Sequence, residues 1–406
     1  MLLAFALAAL SAPAAPAAAP ACTITGTPGR DVLAGRNGAD VICGRGGDDV
    51  IEGGRGNDRL LGGTGADLLV GGAGLDILVG ERGRDTLKGG DGADLLVAVD
   101  GVRDTVLGGR GPDRARLDGR DRRLSVEKVF GRDGALLAAG DIADCHRAGR
   151  DFADETASLL DQNPGARVAA LGDNAYPASE ADLGIFTSCY ASTWGRAKAR
   201  TRPAIGNHEY DIPAAAAYFD YFGAAAGARG KGWYSYDLAS WHIVVLNGEC
   251  ANVGCAAGSE QERWLRADLA RSATSCTLAY WHTPRFSSGK NGTLDPVPSA
   301  ALGDVWRALY AAGVDVVLNG HDHDYERFAP QTPEGLRDDA RGIREFVVGT
   351  GGSGLSDFLA VLPTSEVRES QTYGVLRLTL RVGGYAWRFL PIAGASFADS
   401  GSSLCH

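Results

Sequence analysis

The sequence predicts two successive folds: an all-β coil of short parallel strands, followed by a larger α/β domain. The chain has 406 residues and 58 glycines, and 25 of those glycines lie between Gly26 and Gly111. That stretch restarts every nine residues, which indicates a repeat architecture. After Gly134 the glycine content falls, and apolar strands alternate with amphipathic helices. Such alternation is typical of a layered α/β fold.

The N terminus has the features of a secretory signal. Residues 2–10 form a short apolar run, and Ala19 and Ala21 are the small residues that precede a cut after Ala21. We therefore expect residues 1–21 to be removed and the protein to be secreted, or held at the cell surface. No later run of about 18 apolar residues exists, so no membrane span is expected. The net charge of −10 argues against nucleic-acid binding.

The cysteine content also fits an exported protein. The chain has eight cysteines, and an even number behind a signal favours disulfides. Cys250 and Cys255 close a short loop and are predicted to pair. Cys22 and Cys43 are predicted to fasten the first turn of the coil. The pairing of the other four cysteines stays open.

The glycine-rich stretch consists of nine-residue units that begin at Gly26. Each unit has glycine in the first and fourth places, aspartate in the sixth, and Leu or Ile in the eighth. Glycine permits a tight turn in the first half, and the Asp-x-Leu half alternates as a short strand requires. A less regular unit follows near Ala98, and a last one ends with Asp113 in the sixth place. The eight phased aspartates are Asp31, Asp40, Asp49, Asp58, Asp67, Asp76, Asp85 and Asp94.

These aspartates are predicted to stack in two columns, because two units would make one turn of the coil. Stacked carboxylates repel one another unless a cation lies between them, and calcium prefers carboxylate and carbonyl oxygens. The units resemble the calcium-binding nonapeptide repeats of hemolysin-type (RTX) proteins. The resemblance implies a parallel β-roll over residues 22–118, with Ca²⁺ bound by the eight aspartates. Residues 119–134 are expected to cap the roll and to link it onward.

Five short motifs in the second part carry nitrogen and oxygen ligands. In four of them a polar residue directly follows an apolar strand, at the strand end where open sheets place their sites. A ligand set without thiolate suits iron, zinc or manganese. Two such ions about 3.5–4 Å apart can activate water and hold a phosphoryl group. The motifs are Gly140-Asp141, Gly172-Asp173-Asn174-Ala175-Tyr176, Gly206-Asn207-His208-Glu209, His282 and Gly320-His321-Asp322-His323.

The motif set resembles the calcineurin-like metallophosphoesterases, and within them the purple acid phosphatases. That resemblance implies a four-layer α/β domain over residues 135–406, a β-sandwich flanked by helices. It also implies two metal ions that share Asp173, with Fe³⁺ held by the Tyr176 phenolate and Fe²⁺, Zn²⁺ or Mn²⁺ beside it. The first metal would take Asp141, Asp173, Tyr176 and His323. The second would take Asp173, Asn207, His282 and His321.

The resemblance further implies that a metal-bound hydroxide is the nucleophile. His208 would stabilise charge or protonate the leaving group, and Glu209 would orient it. Purple acid phosphatases of plants and mammals place another substrate histidine about ten residues beyond the strand-terminal one. Here no histidine lies between His282 and His321. Arg285 either binds the substrate phosphate through its planar guanidinium or is a surface residue.

The sequence thus predicts a secreted phosphatase that acts on small-molecule phosphate monoesters. A phosphodiesterase or nucleotidase could use the same site. A calcium-dependent surface or adhesion protein with a vestigial esterase domain is a third interpretation, although the intact ligand set argues against it. Nothing in the sequence indicates a protein partner. His242, in the middle of a strand, is expected to be structural.

Overall fold

The computed structural model describes residues 22–118, 120–126, 128–130, 133–146, 151–272, 274, 276–294 and 300–406. The expected signal segment, residues 1–21, lies outside the described residues. Two parts follow one another along the chain: a roll of parallel strands and an α/β domain with two sheets. The predicted fold class is confirmed.

The roll contains two parallel sheets of short strands. Odd-numbered strands form one sheet and even-numbered strands the other, so the chain crosses between sheets after each strand. Ile42 pairs with Leu60 and Ile51 with Leu69, so two nine-residue units make one turn, as predicted. The strands are β1 (Ile24–Thr25), β2 (Val32–Ala34), β3 (Val41–Gly46), β4 (Val50–Arg55), β5 (Arg59–Thr64), β6 (Leu68–Ala73), β7 (Ile77–Arg82), β8 (Thr86–Asp91), β9 (Leu95–Ala98), β10 (Thr105–Arg110), β11 (Arg114–Leu117), β12 (Arg122–Leu124) and β13 (Lys128–Phe130).

The apolar core of the roll is narrow. The Leu or Ile in the eighth place of each unit points inward between the two sheets, and most of these side chains are fully buried. Polar and glycine positions surround this row, so the roll buries little apolar area for its length, and burial alone stabilises it weakly. The fully buried members of the row are Ile42, Ile51, Leu60, Leu69, Leu78, Leu87 and Leu96.

The repeated glycines make room for the aspartates. A Cβ at Gly62 would lie 2.6 Å from Asp67 Oδ2 and 2.7 Å from the carbonyl oxygen of Gly80. Both distances are shorter than van der Waals contact, so only glycine lets the carboxylate approach the backbone here. The first-place glycine and the sixth-place aspartate are therefore coupled by packing.

The roll continues into the segment that was expected to cap it. Within residues 119–134, β12 pairs in parallel with β10, and β13 pairs in parallel with β11. Each sheet of the roll thus ends on a strand from this segment. The aspartate ladder continues with it, because Asp104 N–H donates to Asp121 Oδ1 at 3.1 Å.

The second part contains two mixed sheets. One has the order β16-β15-β14-β24-β25-β26 and the other β17-β18-β19-β20-β22-β21-β23. The strands are β14 (Gly134–Ala139), β15 (Arg167–Leu171), β16 (Thr201–Ala204), β17 (Tyr234–Leu238), β18 (Trp241–Val245), β19 (Cys276–Tyr280), β20 (Val316–Asn319), β21 (Tyr325–Phe328), β22 (Arg344–Val348), β23 (Ser365–Glu369), β24 (Gly374–Arg381), β25 (Gly384–Pro391) and β26 (Ser400–Leu404). The helices are α1 (Ala153–Asp161), α2 (Ala216–Phe222), α3 (Cys250–Val253), α4 (Glu260–Leu269), α5 (Lys290–Leu294) and α6 (Gly303–Ala311).

The two sheets pack face to face, with helices on their outer sides. Along β18, Ile243 and Val245 belong to the core between the sheets, whereas Val244 belongs to a second core beneath α4 and α6. This alternation is the period of two that a strand buried on both faces requires. Helix α4 begins as its sequence predicts, because the Ser259 hydroxyl accepts the Glu262 N–H at 3.2 Å.

All eight cysteines form disulfides. The predicted pairs Cys22–Cys43 and Cys250–Cys255 are both present. The two pairs that the sequence left open are Cys145–Cys189 and Cys276–Cys405. Within the described ranges, no helix has the length and apolar character needed to cross a membrane.

The roll and the α/β domain touch through polar contacts. Arg59 on β5 donates from Nη1 to the carbonyl oxygen of Gly383, between β24 and β25, at 3.2 Å. Arg114 on β11 lies 3.4 Å from Asp237 on β17. Beside these contacts a cleft of about 1670 Å³ separates β5 and β7 from β25 and β26.

Candidate active site

All five predicted motifs lie at carboxyl ends of strands that meet at one edge of the sandwich, since residues 206–209 follow β16. The chain turns sharply after Ala139 of β14, Leu171 of β15 and Asn319 of β20. Non-glycine residues rarely adopt positive φ, and such strain clusters at functional sites. It occurs at three of the predicted ligands, namely Asp141 (φ 59°), Asp173 (φ 46°) and His321 (φ 72°).

Three predicted ligands of the first metal converge on one point. The hydroxyl oxygen of Tyr176 lies 3.2 Å from Asp141 Oδ1 and 3.2 Å from His323 Nε2. His323 Nε2 lies 3.2 Å from Asp141 Oδ1, which closes the triangle. His323 Nδ1 lies 2.6 Å from the carbonyl oxygen of Gly354, so this nitrogen donates and Nε2 is left to face the other two groups.

Three predicted ligands of the second metal form a matching triangle. Asn207 Oδ1 lies 3.1 Å from His282 Nε2 and 3.0 Å from His321 Nδ1. The two histidine nitrogens lie 3.3 Å apart. His282 Nδ1 lies 2.8 Å from the carbonyl oxygen of Leu171, so a backbone acceptor also fixes the orientation of this ring.

Asp173 lies between the two triangles. Its Oδ2 atom is 3.2 Å from His282 Nε2, and one ligand atom each of Asp141, Asp173 and His282 lie within 4.8 Å of one another. Its Oδ1 atom accepts the backbone N–H of His208 at 2.9 Å. Asp173 therefore lies close to predicted ligands of both groups.

The buried carboxylates and imidazoles of this cluster are suited to binding cations. Burial would raise the pKa of Asp141 and Asp173, but the charges of His323 and His282 outweigh it and lower both values. Burial would likewise lower the pKa of His323, but Asp141 raises it to about 9. Two fully buried carboxylates beside histidine nitrogens with fixed orientation form a donor set suited to iron, zinc or manganese.

Tyr176 adds a phenol oxygen to the first triangle, and this donor discriminates among metal ions. Burial and the charge of Asp141 raise the pKa of its hydroxyl well above the ordinary value. A phenolate therefore forms here only if a strongly Lewis-acidic cation displaces the proton. Among the candidate ions, ferric iron meets that requirement best.

His208 stands at the rim of the cluster, and its partner differs from the predicted one. The ring is 40% exposed, with Nδ1 at 2.7 Å from Asp211 Oδ2 and Nε2 at 3.9 Å from Asp173 Oδ2. Glu209 was expected to orient it, but that prediction is wrong. Glu209 is buried and accepts backbone N–H groups of Gly206, Asp173 and Asn174 at 2.6–3.0 Å.

Asp211 is thus a site residue that the sequence analysis missed. Residues 208–211 form one tight helical turn, and in such a turn the first and fourth side chains lie on the same side. The signal was the spacing of three between a histidine and an aspartate. Glu209, the immediate neighbour of His208, was predicted to orient it in place of Asp211.

Arg285 is not brought to the ligand cluster. Its guanidinium lies 4.9 Å from the ring centre of Phe286, and its charged neighbours are Glu345, Arg307 and Glu334. None of these is a predicted metal ligand. Arg285 is nevertheless half-buried, with its Nε buried and without a hydrogen-bond partner among the described residues, so the structure does not make it a plain surface residue. His242 is structural as expected, because Asp237 at 3.2 Å and Asp268 at 2.8 Å hold its ring.

The roll carries a second set of candidate cation sites. From Asp49 to Asp94, each phased aspartate accepts, through Oδ1, the N–H of the aspartate one turn earlier, as Asp67 does from Asp49 at 2.8 Å. The opposite oxygen, Oδ2, is buried without a hydrogen-bond partner in six of them. Such buried, unpaired carboxylate oxygens are costly unless a cation binds them. The six are Asp49, Asp58, Asp67, Asp76, Asp85 and Asp94.

The aspartate columns are longer than predicted. Asp85 N–H donates to Asp104 Oδ1 at 2.7 Å, although the two are 19 residues apart instead of 18. Asp121 follows Asp104 in the same column. Both residues fall outside the sequence pattern, because one extra residue before Asp104 and one missing residue before Asp121 break the nine-residue phase after Ala98. In the folded roll, hydrogen bonds nevertheless align these aspartates in the same column.

Comparisons with known families agree with this geometry. Residues 135–325 match the calcineurin-like phosphoesterase family. Residues 23–51, 44–78 and 70–101 match the RTX calcium-binding nonapeptide repeat. The second part of the chain is thus similar to calcineurin-like phosphoesterases, and the part in front of it is similar to RTX calcium-binding repeats.

The chain is also similar to curated purple acid phosphatases. It is 26% identical over 239 residues to purple acid phosphatase 15 of Arabidopsis thaliana, covering 51% of this chain and 43% of that protein. It is 35% identical over 158 residues to purple acid phosphatase 21 of the same plant, covering 36% and 34%. The chain thus spans less than half the length of these curated relatives.

A solved structure shows the same fold. The purple acid phosphatase from yellow lupin (Lupinus luteus) seeds superposes with a TM-score of 0.54 at 19% identity. The match covers 67% of this chain and 54% of the lupin chain. The likeness confirms the purple acid phosphatase-like architecture of the second domain.

Proposed function

We propose that the protein is a secreted phosphatase with two metal ions that hydrolyses small-molecule phosphate monoesters. The observation that carries the proposal is the pair of ligand triangles with Asp173 between them. When bound, two cations there would supply Lewis acidity that activates water and neutralises phosphoryl oxygens. The names of the relatives point to the same activity.

The position of each predicted ligand determines which metal ion it would bind. Asp141, Tyr176 and His323 would hold Fe³⁺. Asn207, His282 and His321 would hold Fe²⁺, Zn²⁺ or Mn²⁺, and Asp173 would bind both ions. The backbone acceptors of His282 and His323 keep the ring nitrogens directed inward. Glu209 fixes the loop that carries Asp173 and Asn207.

His208 supports a preference for monoesters. Burial would lower its pKa, but the charge of Asp173 and the hydrogen bond with Asp211 outweigh burial and raise it. The imidazolium therefore adds a positive charge beside the metal ligands. This charge stabilises a bound monoester dianion more strongly than a bound diester monoanion. In the same position it can pass its proton to the leaving oxygen.

The test compares two esters on the metal-loaded protein. We expect p-nitrophenyl phosphate to be hydrolysed faster than bis-p-nitrophenyl phosphate. Asp173→Asn should lower kcat by more than about 100-fold, because loss of an outer-shell partner already costs 10- to 100-fold. Asp220→Asn, which makes the same change at an exposed position, should leave kcat unchanged.

Three results would go against the proposal. Faster turnover of the diester would make the protein a phosphodiesterase. Full activity of Asp173→Asn would remove the ligand assignment. No turnover of either ester would favour the adhesion interpretation, in which calcium-dependent repeats carry a vestigial esterase domain.

Calcium binding by the eight phased aspartates and export are parts of the same proposal. Four disulfides and calcium-binding repeats suit an oxidising, calcium-rich compartment. We expect the exported protein to begin at Cys22 when its N terminus is sequenced. A protein that stays in the cytoplasm with Met1 in place would overturn the assignment.

A further inference from the structure

Glu249 is an acidic residue at the rim of the ligand cluster that the mechanism does not use. It follows β18, which runs parallel to β19 with Val245 opposite Tyr280. The residues after both strands therefore reach the same edge of the sheet. Glu249 Oε1 accepts a hydrogen bond from the hydroxyl of Thr283 at 3.1 Å, and Thr283 directly follows the predicted ligand His282.

The loop around Glu249 is held firmly. The Asn247 side chain accepts the Glu249 N–H at 3.0 Å and donates to the Tyr210 hydroxyl at 2.9 Å. A Cβ at Gly248 would lie 2.8 Å from Trp281 Cδ1, so the chain is tightly packed there. The Cys250–Cys255 disulfide begins at the next residue. The carboxylate thus has a defined position.

The carboxylate acts on the site through its charge. The charged groups with the strongest influence on Glu249 are His282, Asp173 and His208, and Glu249 in turn acts on His282. Neither Lys nor Arg is among these neighbours. Asp173 and His282 are buried, whereas His208 and Glu249 are partly exposed. These two side chains therefore lie where the cluster meets solvent.

We propose that Glu249 determines leaving-group specificity, favouring phosphate esters whose alcohol part carries a positive charge. The inference rests on the proposed function. With the phosphoryl group at the metal ligands, the alcohol part extends to the rim. A fixed carboxylate there attracts an ammonium group and repels a second anionic group. Esters of amino alcohols are the substrate class that meets this requirement.

The experiment uses three alkyl monoesters of similar size: 2-aminoethyl phosphate, ethyl phosphate and carboxymethyl phosphate. On the metal-loaded full chain, kcat/KM should be at least about tenfold higher for the aminoethyl than for the carboxymethyl ester. Glu249→Gln should bring this ratio close to one while ethyl phosphate turnover changes little. The wild-type ratio should also shrink as salt is added.

Glu260→Gln is the matched control, because it removes the same charge from an exposed position that pairs with Lys231. It should keep the wild-type ratio. Glu249→Asp, which keeps the charge, should retain the preference even if the loop is disturbed. An equal ratio in wild type and Glu249→Gln would overturn the inference. So would an equal loss on all three esters, which would mark Glu249 as structural.

The inference and the proposed function fail in different ways. If wild type hydrolyses p-nitrophenyl phosphate and all three esters without preference, only the role of Glu249 is lost. If metal-loaded wild type hydrolyses none of these substrates, the phosphatase function is lost, and the specificity role is lost with it.

Discussion

The roll and the phosphoesterase domain both bury aspartates, but they support them in opposite ways. In the roll, the partner of each aspartate is another aspartate one turn away, and the core beneath is a single row of Leu and Ile. In the phosphoesterase domain, Asp141 and Asp173 face histidines and rest on a sandwich core that extends through both sheets. The first arrangement leaves buried carboxylate oxygens without a partner in the described part of the chain, whereas the second pairs its carboxylates with histidines.

The largest expected effect is the loss of the roll without calcium. Chelation at pH 8 should remove far-UV β signal from the full chain, because the buried Oδ2 atoms are then ionised and have no counter-charge. All seven tryptophans lie between Trp194 and Trp387, in the phosphoesterase domain. Their fluorescence should therefore stay unchanged. A far-UV spectrum that is the same with and without calcium would contradict this account of the roll.

The next largest effect is expected at Tyr176. Tyr176→Phe should abolish visible charge-transfer absorption of the iron-loaded protein and lower kcat by about tenfold or more. Tyr310→Phe, at a tyrosine that bonds Asp338 away from the site, is the control and should keep both. If Tyr176→Phe keeps its colour, the phenolate is not a ligand.

A smaller effect is expected at Asp211. Asp211→Asn should lower the pKa of His208, since it removes a group that raises it. A protonated His208 is needed as acid, so activity should fall at a lower pH than in wild type as pH rises. We also expect kcat to drop by about tenfold. A pH–rate profile identical to wild type would show that Asp211 does not act through His208.

The smallest effect is a pH dependence of the calcium-free roll. Burial and then neighbouring aspartates raise the pKa of Asp76 to about 6 and of Asp85 and Asp94 to about 7. These folded values exceed the unfolded value near 3.8, so the folded roll binds more protons between about pH 4 and pH 7. Its stability should therefore fall as pH rises through that window.

Thermal unfolding of calcium-free protein at pH 5 and pH 8, followed by far-UV circular dichroism, measures this dependence. At pH 5 the calcium-free roll should keep β signal and lose it on heating, whereas at pH 8 that signal should already be absent before heating. Calcium should reverse the order, because it binds the ionised carboxylates. A calcium-free roll that is more stable at pH 8 would show that the aspartates are not buried as a column.

The same contrast explains what the sequence could predict. The coil, its two columns and the eighth-place core follow from a nine-residue period, because each contact repeats at a fixed separation. The ligands after β14, β15 and β20 were also predictable, since apolar strands ending in Gly-Asp or Gly-His carry their own signal. His282 after β19 was predictable only in combination with them, because a single histidine after a strand is a weak signal.

Other features depend on contacts that no local pattern encodes. Asp104 and Asp121 continue a column across a broken period. Cys276 pairs with Cys405 because β26 returns beside β25 and brings the C terminus to β19. Glu249 reaches the rim only because β18 and β19 are neighbours. In each case a residue distant in sequence supplies the partner.

The central claim is that Asp173 joins two metal ions in one site. Anomalous diffraction from crystals of the metal-loaded protein tests it most directly. The account predicts two transition-metal peaks about 3.5–4 Å apart, one within the Asp141–Tyr176–His323 triangle and one within the Asn207–His282–His321 triangle, with the Asp173 carboxylate between them. A single peak, or two peaks that Asp173 does not touch, would contradict it.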